Sequence, residues 1–181
     1  MIGVSAAGGL AVGVSSRRVG GAEPPRLSRP GAFWRRMRSI RRPEGNVGLF
    51  VDGPNVFRPE FHADLDDLRE AIGPFGRPAI LRVYLDADAP ADLLRAVEGH
   101  GFEAVVTSGD VDVRLAVEVA DALADRGLDT VAIASRDLDF KPVFEAAKRR
   151  GVRTVAIAPG EYGRSEGLTA AADEAVLLGD D

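Results

Sequence analysis

The chain has 181 residues, 45% hydrophobic and 28% charged, with a net charge of −5, which suits one domain with a single ordinary globular core. It contains no cysteine, so disulfides, thiolate zinc sites and cysteine nucleophiles are excluded. Its two histidines, His62 and His100, lie far apart in sequence, which argues against a histidine metal site or a Ser-His-Asp triad.

Residues 1–45 show no sustained helical or strand period. Stretches such as "GGAEPPRLSRPG" are rich in turn formers, and nine arginines against Glu23 and Glu44 give a net +7. The patch "FWRRMRSIRR" mixes aromatics with arginine, a composition able to grip nucleic acid electrostatically. We expect a disordered or poorly ordered basic tail at 1–45, followed by a domain at 46–181 with a net charge of −12. In the early apolar stretch "MIGVSAAGGLAVGVSS" the arginines come after the run, whereas a secretory signal carries its charge first. The expectation is no membrane partner and a cytoplasmic location.

From Asn46 the pattern is regular. A buried strand is predicted at "VGLFV" (47–51), then a helix at "DLDDLREAI" (64–72) and a strand at "AILRVYL" (79–85). "ADLLRAVEGHG" leads to the strand "EAVVT" (103–107), and "DVRLAVEVADALADRG" leads to "TVAIA" (130–134). "KPVFEAAKRRG" leads to "RTVAIA" (153–158), and "AVLL" (175–178) is a weak last strand that adds an edge. Gly101, Gly127 and Gly151 fall where helices need a C-terminal cap. Strands alternating with helices of this length predict right-handed crossovers and a three-layer α/β fold, a parallel sheet with helices on both faces.

Ligands of such sheets bind beyond the carboxyl ends of the strands, where strand order reverses. Asp52 ends the first strand, before a Gly-Pro-Asn turn. Asp86 and Asp88 follow the second strand and Asp110 and Asp112 the third. Ser135, Arg136, Asp137 and Asp139 follow the fourth. In the order 3-2-1-4-5, strands one and four are neighbours, and Asp52 faces Asp137. Clustered carboxylates are costly without a cation, and oxygen ligands suit Mg²⁺ or Mn²⁺. Each aspartate alone is also an ordinary turn or cap residue; it is their convergence that points to a metal site. Periodicity sets Asp112 at the head of the stripe Leu115, Ala116, Val119 and Leu123. The same period puts Glu118 on the polar face, in a surface pair with Arg114. No Gly-rich phosphate loop follows the first strand, which argues against dinucleotide and nucleoside triphosphate enzymes. Arg164 and Ser165 are expected to begin a helix whose start suits either a phosphate or a simple cap.

Three blocks, "LFVDGPNV", "SGDVDVRLAVEVADAL" and "AIASRDLDFKPVFEAAKRRGVRTVAIAP", resemble the signature blocks of the NYN-domain, PIN-like nuclease family, especially its archaeal branch. The resemblance covers roughly residues 46–178 and implies a PIN-like parallel sheet of order 3-2-1-4-5 with metal-dependent RNA cleavage. It makes Asp52, Asp112, Asp137 and Asp139 the catalytic acids. Asp52, Asp112 and Asp137 are the expected metal ligands, with Glu118 as a further candidate because it matches a second helix acid of the family. Asn55 matches a residue that braces the site, and Asn55, Ser135, Arg136, Lys141 and Arg164 are assigned to substrate. The chain departs from the family at Arg136, where a glycine is usual, and at Thr107 and Ser108, where a basic residue is often found. The implied activity is a Mg²⁺- or Mn²⁺-dependent endoribonuclease acting on RNA, with single strands expected. The alternative is a non-catalytic module that binds RNA or a protein partner.

Overall fold

The computed structural model describes residues 45–179 other than 60, 62, 126 and 161–165. The expected basic tail and Arg164 therefore lie outside the described residues. In chain order the elements are β1 (Asn46–Asp52), α1 (Gly53–Val56), α2 (Leu65–Ile72), β2 (Arg77–Asp86), α3 (Ala91–Gly99) and β3 (Glu103–Thr107). There follow α4 (Val111–Asp125), β4 (Thr130–Ala134), α5 (Lys141–Arg149), β5 (Arg153–Ala158), α6 (Glu166–Ala171) and β6 (Glu174–Leu177). Short 3-10 turns at Gly73–Phe75 and Leu138–Phe140 precede β2 and α5.

The six strands are all parallel, in the order β3-β2-β1-β4-β5-β6. The expected order 3-2-1-4-5 is present, and the weak last strand joins the β5 edge. The predicted starts of β1 and β2 fall one and two residues late. Gly101, Gly127 and Gly151 all adopt positive φ, between 57° and 76°. That is the left-handed geometry in which a side chain is strained.

Two apolar cores flank the sheet, and strand alternation explains the division. Val47, Leu49 and Val51 of β1, with Ala132 and Ala134 of β4, pack with Leu68, Ile72 and Val97 of α2 and α3. Phe50, Val131 and Ile133 pack on the other side with Leu115 and Val119 of α4, Phe144 of α5 and Leu168 of α6. β1 is buried on both faces, so it reads as a continuous apolar run. By the same alternation Asp52 follows Phe50, and Ser135 follows Ile133. Both belong to the face that carries α4 and α5.

Gly53 is required by close approach. A Cβ there would stand 2.4 Å from Leu85 Cδ2 and 2.6 Å from the Tyr84 carbonyl oxygen. Backbone cannot yield as a flexible side-chain tip can, so α1 sits flush against the end of β2 only because residue 53 has no side chain. Gly53→Ala is expected to destabilise the fold by about 1–3 kcal/mol through overpacking. Urea unfolding checks this, and wild-type stability in the variant would show that α1 can shift freely.

Candidate active site at the carboxyl ends of the central strands

Asp52 is 1% exposed, and three donors converge on its carboxylate. Asn55 Nδ2 donates to Oδ2 at 2.6 Å, and Ser135 Oγ donates to the same oxygen at 2.7 Å. The backbone N–H of Asn55 donates to Oδ1 at 3.3 Å, capping α1. The Gly-Pro-Asn turn therefore does more than reverse the chain: it returns both donors of Asn55 to the acid three residues earlier. Pro54 takes an early helical position where its missing N–H costs nothing. Arg58, one turn on, extends this bracket: its Nε donates to the Pro54 carbonyl at 2.9 Å and its Nη2 contacts Asn55 Oδ1 at 3.5 Å. Sequence reasoning missed Arg58, although its i,i+4 spacing from Pro54 was visible.

Ser135 links the two strands. While its hydroxyl donates to Asp52, its oxygen accepts the Asp137 N–H at 3.0 Å. Asp137 then caps the 3-10 turn by accepting the Asp139 N–H at 2.9 Å. The pairing of Val51 with Ala134 sets Asp52 beside Ser135. On α4, Asp110 is the capping residue, accepting the N–H groups of Asp112 and Val113 at 2.9 and 3.3 Å. Asp112 is thereby free of the capping role and sits in the first helical turn.

Electrostatics reveals the convergence. Burial pushes the Asp112 carboxyl up to about 6, and the charges of Asp52, Asp137, Asp110 and Asp139 push it the same way. Burial also raises the Asp52 carboxyl, with a contribution from Asp137 that the three donors only partly offset. Negative charge is thus concentrated at one rim of the sheet.

The donor set is all oxygen, the kind that suits a hard divalent cation. Among the described residues no three acidic or imidazole side chains stand close enough to hold one ion together. Mg²⁺ needs only one or two carboxylates and keeps its remaining waters, so these residues fit such an ion at the level of donor chemistry.

The family model for the NYN domain matches residues 46–179. The chain belongs to the NYN domain family. NYN domains are PIN-like, and the family consists generally of nucleases, which typically use divalent metals. An uncharacterized protein of the archaeon Methanocaldococcus jannaschii is 37% identical over 159 residues, covering 82% of this chain. The chain spans 66% of that relative's length. A crystal structure of a protein of unknown function from Vibrio parahaemolyticus superposes with a TM-score of 0.65 at 19% identity. It covers 76% of this chain and 94% of the other, and it shows shared fold.

In this NYN domain Glu118 is held by donors from β2 and from its own helix. Tyr84 Oη donates to Glu118 Oε2 at 2.8 Å and Arg82 Nη1 to the same oxygen at 3.0 Å. Arg114 Nε donates to Oε1 at 2.6 Å. The expected Arg114–Glu118 pair exists, but the Glu118 side chain is only 14% exposed, against 54% for Arg114. The expectation of a solvated glutamate is corrected: β2 delivers Tyr84 and Arg82 against this flank of α4, which helical periodicity alone could not reveal. These donors hold Glu118 below the usual carboxylate range, against the cost of burial. Arg82 also bonds Glu103 of β3 at 2.7 Å.

Of the residues assigned to substrate, Asn55 and Ser135 contact Asp52 directly. Arg136 is exposed and lies over the ring of Phe61, with Cζ 5.7 Å from the centroid. Lys141 is exposed at the first residue of α5. Asp86 accepts the Asp88 N–H in a local turn, and both are exposed. Among the described residues no helix is long and apolar enough to cross a membrane.

Two outcomes are expected. The folded protein holds the Asp112 proton more tightly than the unfolded chain, whose ordinary value is 3.8. The resulting stability is full below that value and is lost as pH rises through about 6. At pH 8 without metal, Asp112→Asn should therefore raise stability by about 1–2 kcal/mol, after a discount for partial exposure. Denaturant melts at pH 4 and pH 8 check this, and equal effects at both would exclude the charge repulsion. Glu118→Ala should cost about 1–3 kcal/mol in the same assay, because it strips a partner from Tyr84 and Arg82.

Proposed function

We propose that this NYN domain is a Mg²⁺- or Mn²⁺-dependent endoribonuclease that hydrolyses RNA phosphodiester bonds. The observation that carries the reading is the buried Asp52 carboxylate at the end of β1, held by Asn55 and Ser135 and linked through Ser135 to Asp137. Family membership supplies the reaction class.

Asp52, Asp112 and Asp137 are the proposed ligands of the ion, one or two of them directly and the others through its waters, with Asp139 assisting. A bound divalent ion lowers the pKa of water and offsets charge developing on the phosphodiester. The chain's own part is orientation. Asn55 and Ser135 anchor Asp52 through Oδ2, and among the described residues its Oδ1 accepts only the longer 3.3 Å bond and so retains acceptor capacity. The Ser135 hydroxyl holds Asp52 while receiving the Asp137 N–H, so one small side chain sets both acids. Lys141 supplies positive charge two residues beyond Asp139 for an RNA phosphate. Glu118 acts at one remove, as the anchor of α4 on β2, which positions Asp112.

The experiment is incubation of the purified chain with end-labelled single-stranded RNA in Mn²⁺, in Mg²⁺ and in EDTA, beside Asp52→Asn. Metal-dependent cutting that disappears in the variant is expected. Equal cutting by both proteins would sink the assignment, and RNA binding without cutting would favour the non-catalytic module. Ion binding requires ionised carboxylates, so the Mn²⁺ concentration for half-maximal rate should rise about tenfold per pH unit below about 6. A pH-independent value would remove Asp112 from the ligand set.

A further inference from the structure

Phe61 lies in the segment between α1 and α2. Its backbone N–H donates to the Arg58 carbonyl at 3.0 Å, which ties it to the turn that brackets Asp52. On another side its ring lies against the chain leaving β5: a Cβ on Gly160 would stand 3.8 Å from Phe61 Cδ1. The ring is only partly buried, and the exposed Arg136 guanidinium lies over it. Arg136 is placed by its neighbours, since Ser135 bonds Asp52 and Asp137 bonds Ser135. An aromatic ring and a planar cation are thus paired beside Asp137 and one residue from Ser135, which bonds Asp52. Among the described residues Arg136 has no acidic partner; its contact is the ring.

We propose that Phe61 and Arg136 form a stacking platform for one unpaired nucleobase of the substrate. The inference rests on the nuclease reading for the identity of its ligand. Guanidinium groups stack on aromatic faces, and splayed bases stack on both. A base inside a duplex presents no free face, so only an unpaired nucleotide can occupy the platform. Charge strengthens the case. Residues 46–181 carry −12, which opposes RNA phosphates, so a contribution that does not depend on phosphate adds to what the basic residues 1–45 and a bound metal can supply. Stacking supplies it. Arg136 is thereby a base-contacting residue and not a simple phosphate clamp.

The test uses the full chain carrying Asp52→Asn, so that RNA is bound and left intact. Affinity is measured by anisotropy for a labelled oligoadenylate and for an abasic ribose-phosphate strand of equal length. Contacts to phosphate, including any from the arginines of residues 1–45, act on both strands and cancel in the ratio. The base-bearing strand should bind about 5- to 150-fold more tightly, the range for one stacked base. Adding Phe61→Leu should bring the ratio close to one, Phe61→Tyr should preserve it, and melting curves establish that each variant is folded. A ratio of one in the parent, or equal weakening of both strands by Phe61→Leu, would overturn the platform. Parallel assays with the unmutated chain in Mn²⁺ separate the two readings. Base-dependent binding without cleavage removes the nuclease and keeps the platform, whereas cleavage without base dependence does the reverse.

Discussion

A buried carboxylate is among the costliest groups a small domain can carry, and the site is organised around one. Asp52 lies at 1% exposure at the end of the central strand, where an unsupported charge would be expelled or neutralised. Three donors hold it, and they come from two constraints. The Asn55 backbone N–H comes from the helical turn that Gly53 allows, the Asn55 amide from the same turn, and the Ser135 hydroxyl from the neighbouring strand. Sheet register and a glycine without space for a Cβ thus have a chemical consequence.

Ser135 connects this arrangement to the rest of the rim. Its oxygen is both donor and acceptor, a capacity of hydroxyls that neither a carboxylate nor an ammonium group has. Through it the Asp52 carboxylate and the Asp137 backbone are linked, and through the 3-10 turn so is Asp139. Asp110 takes the cap of α4 and leaves Asp112 to the acidic cluster. The four acids do not behave as independent turn formers, because the charges of Asp52, Asp137 and Asp139 are felt at Asp112.

The opposite flank of α4 has the complementary logic. Glu118 meets two arginines and a tyrosine, which stabilise its charge and lower its pKa. One helix therefore carries two half-buried acids in contrasting surroundings, one compensated and the other not. The compensated acid fastens the helix to β2, and the uncompensated one is presented at the rim. Burial alone does not distinguish them; the partners do.

The sequence by itself determined the α/β class, because alternating apolar runs and helical stripes record burial directly, and its three signature blocks carried the family and the strand order that the family implies. β1 and β4 are buried on both faces and stand out as continuous runs, and glycines after three helices mark caps that require positive φ. It also determined which acids end the strands. Their roles were decided by tertiary structure: whether an aspartate caps a helix or faces other charges depends on partners distant in sequence, such as Ser135, 83 residues from Asp52. Glu118 has the same origin, since Tyr84 lies 34 residues away on another strand. Arg58 and Phe61 carry no periodic signal because they stand in a connection, where position follows from packing and not from a repeat. Local pattern encodes which face is buried; only the folded chain sets which charges meet there.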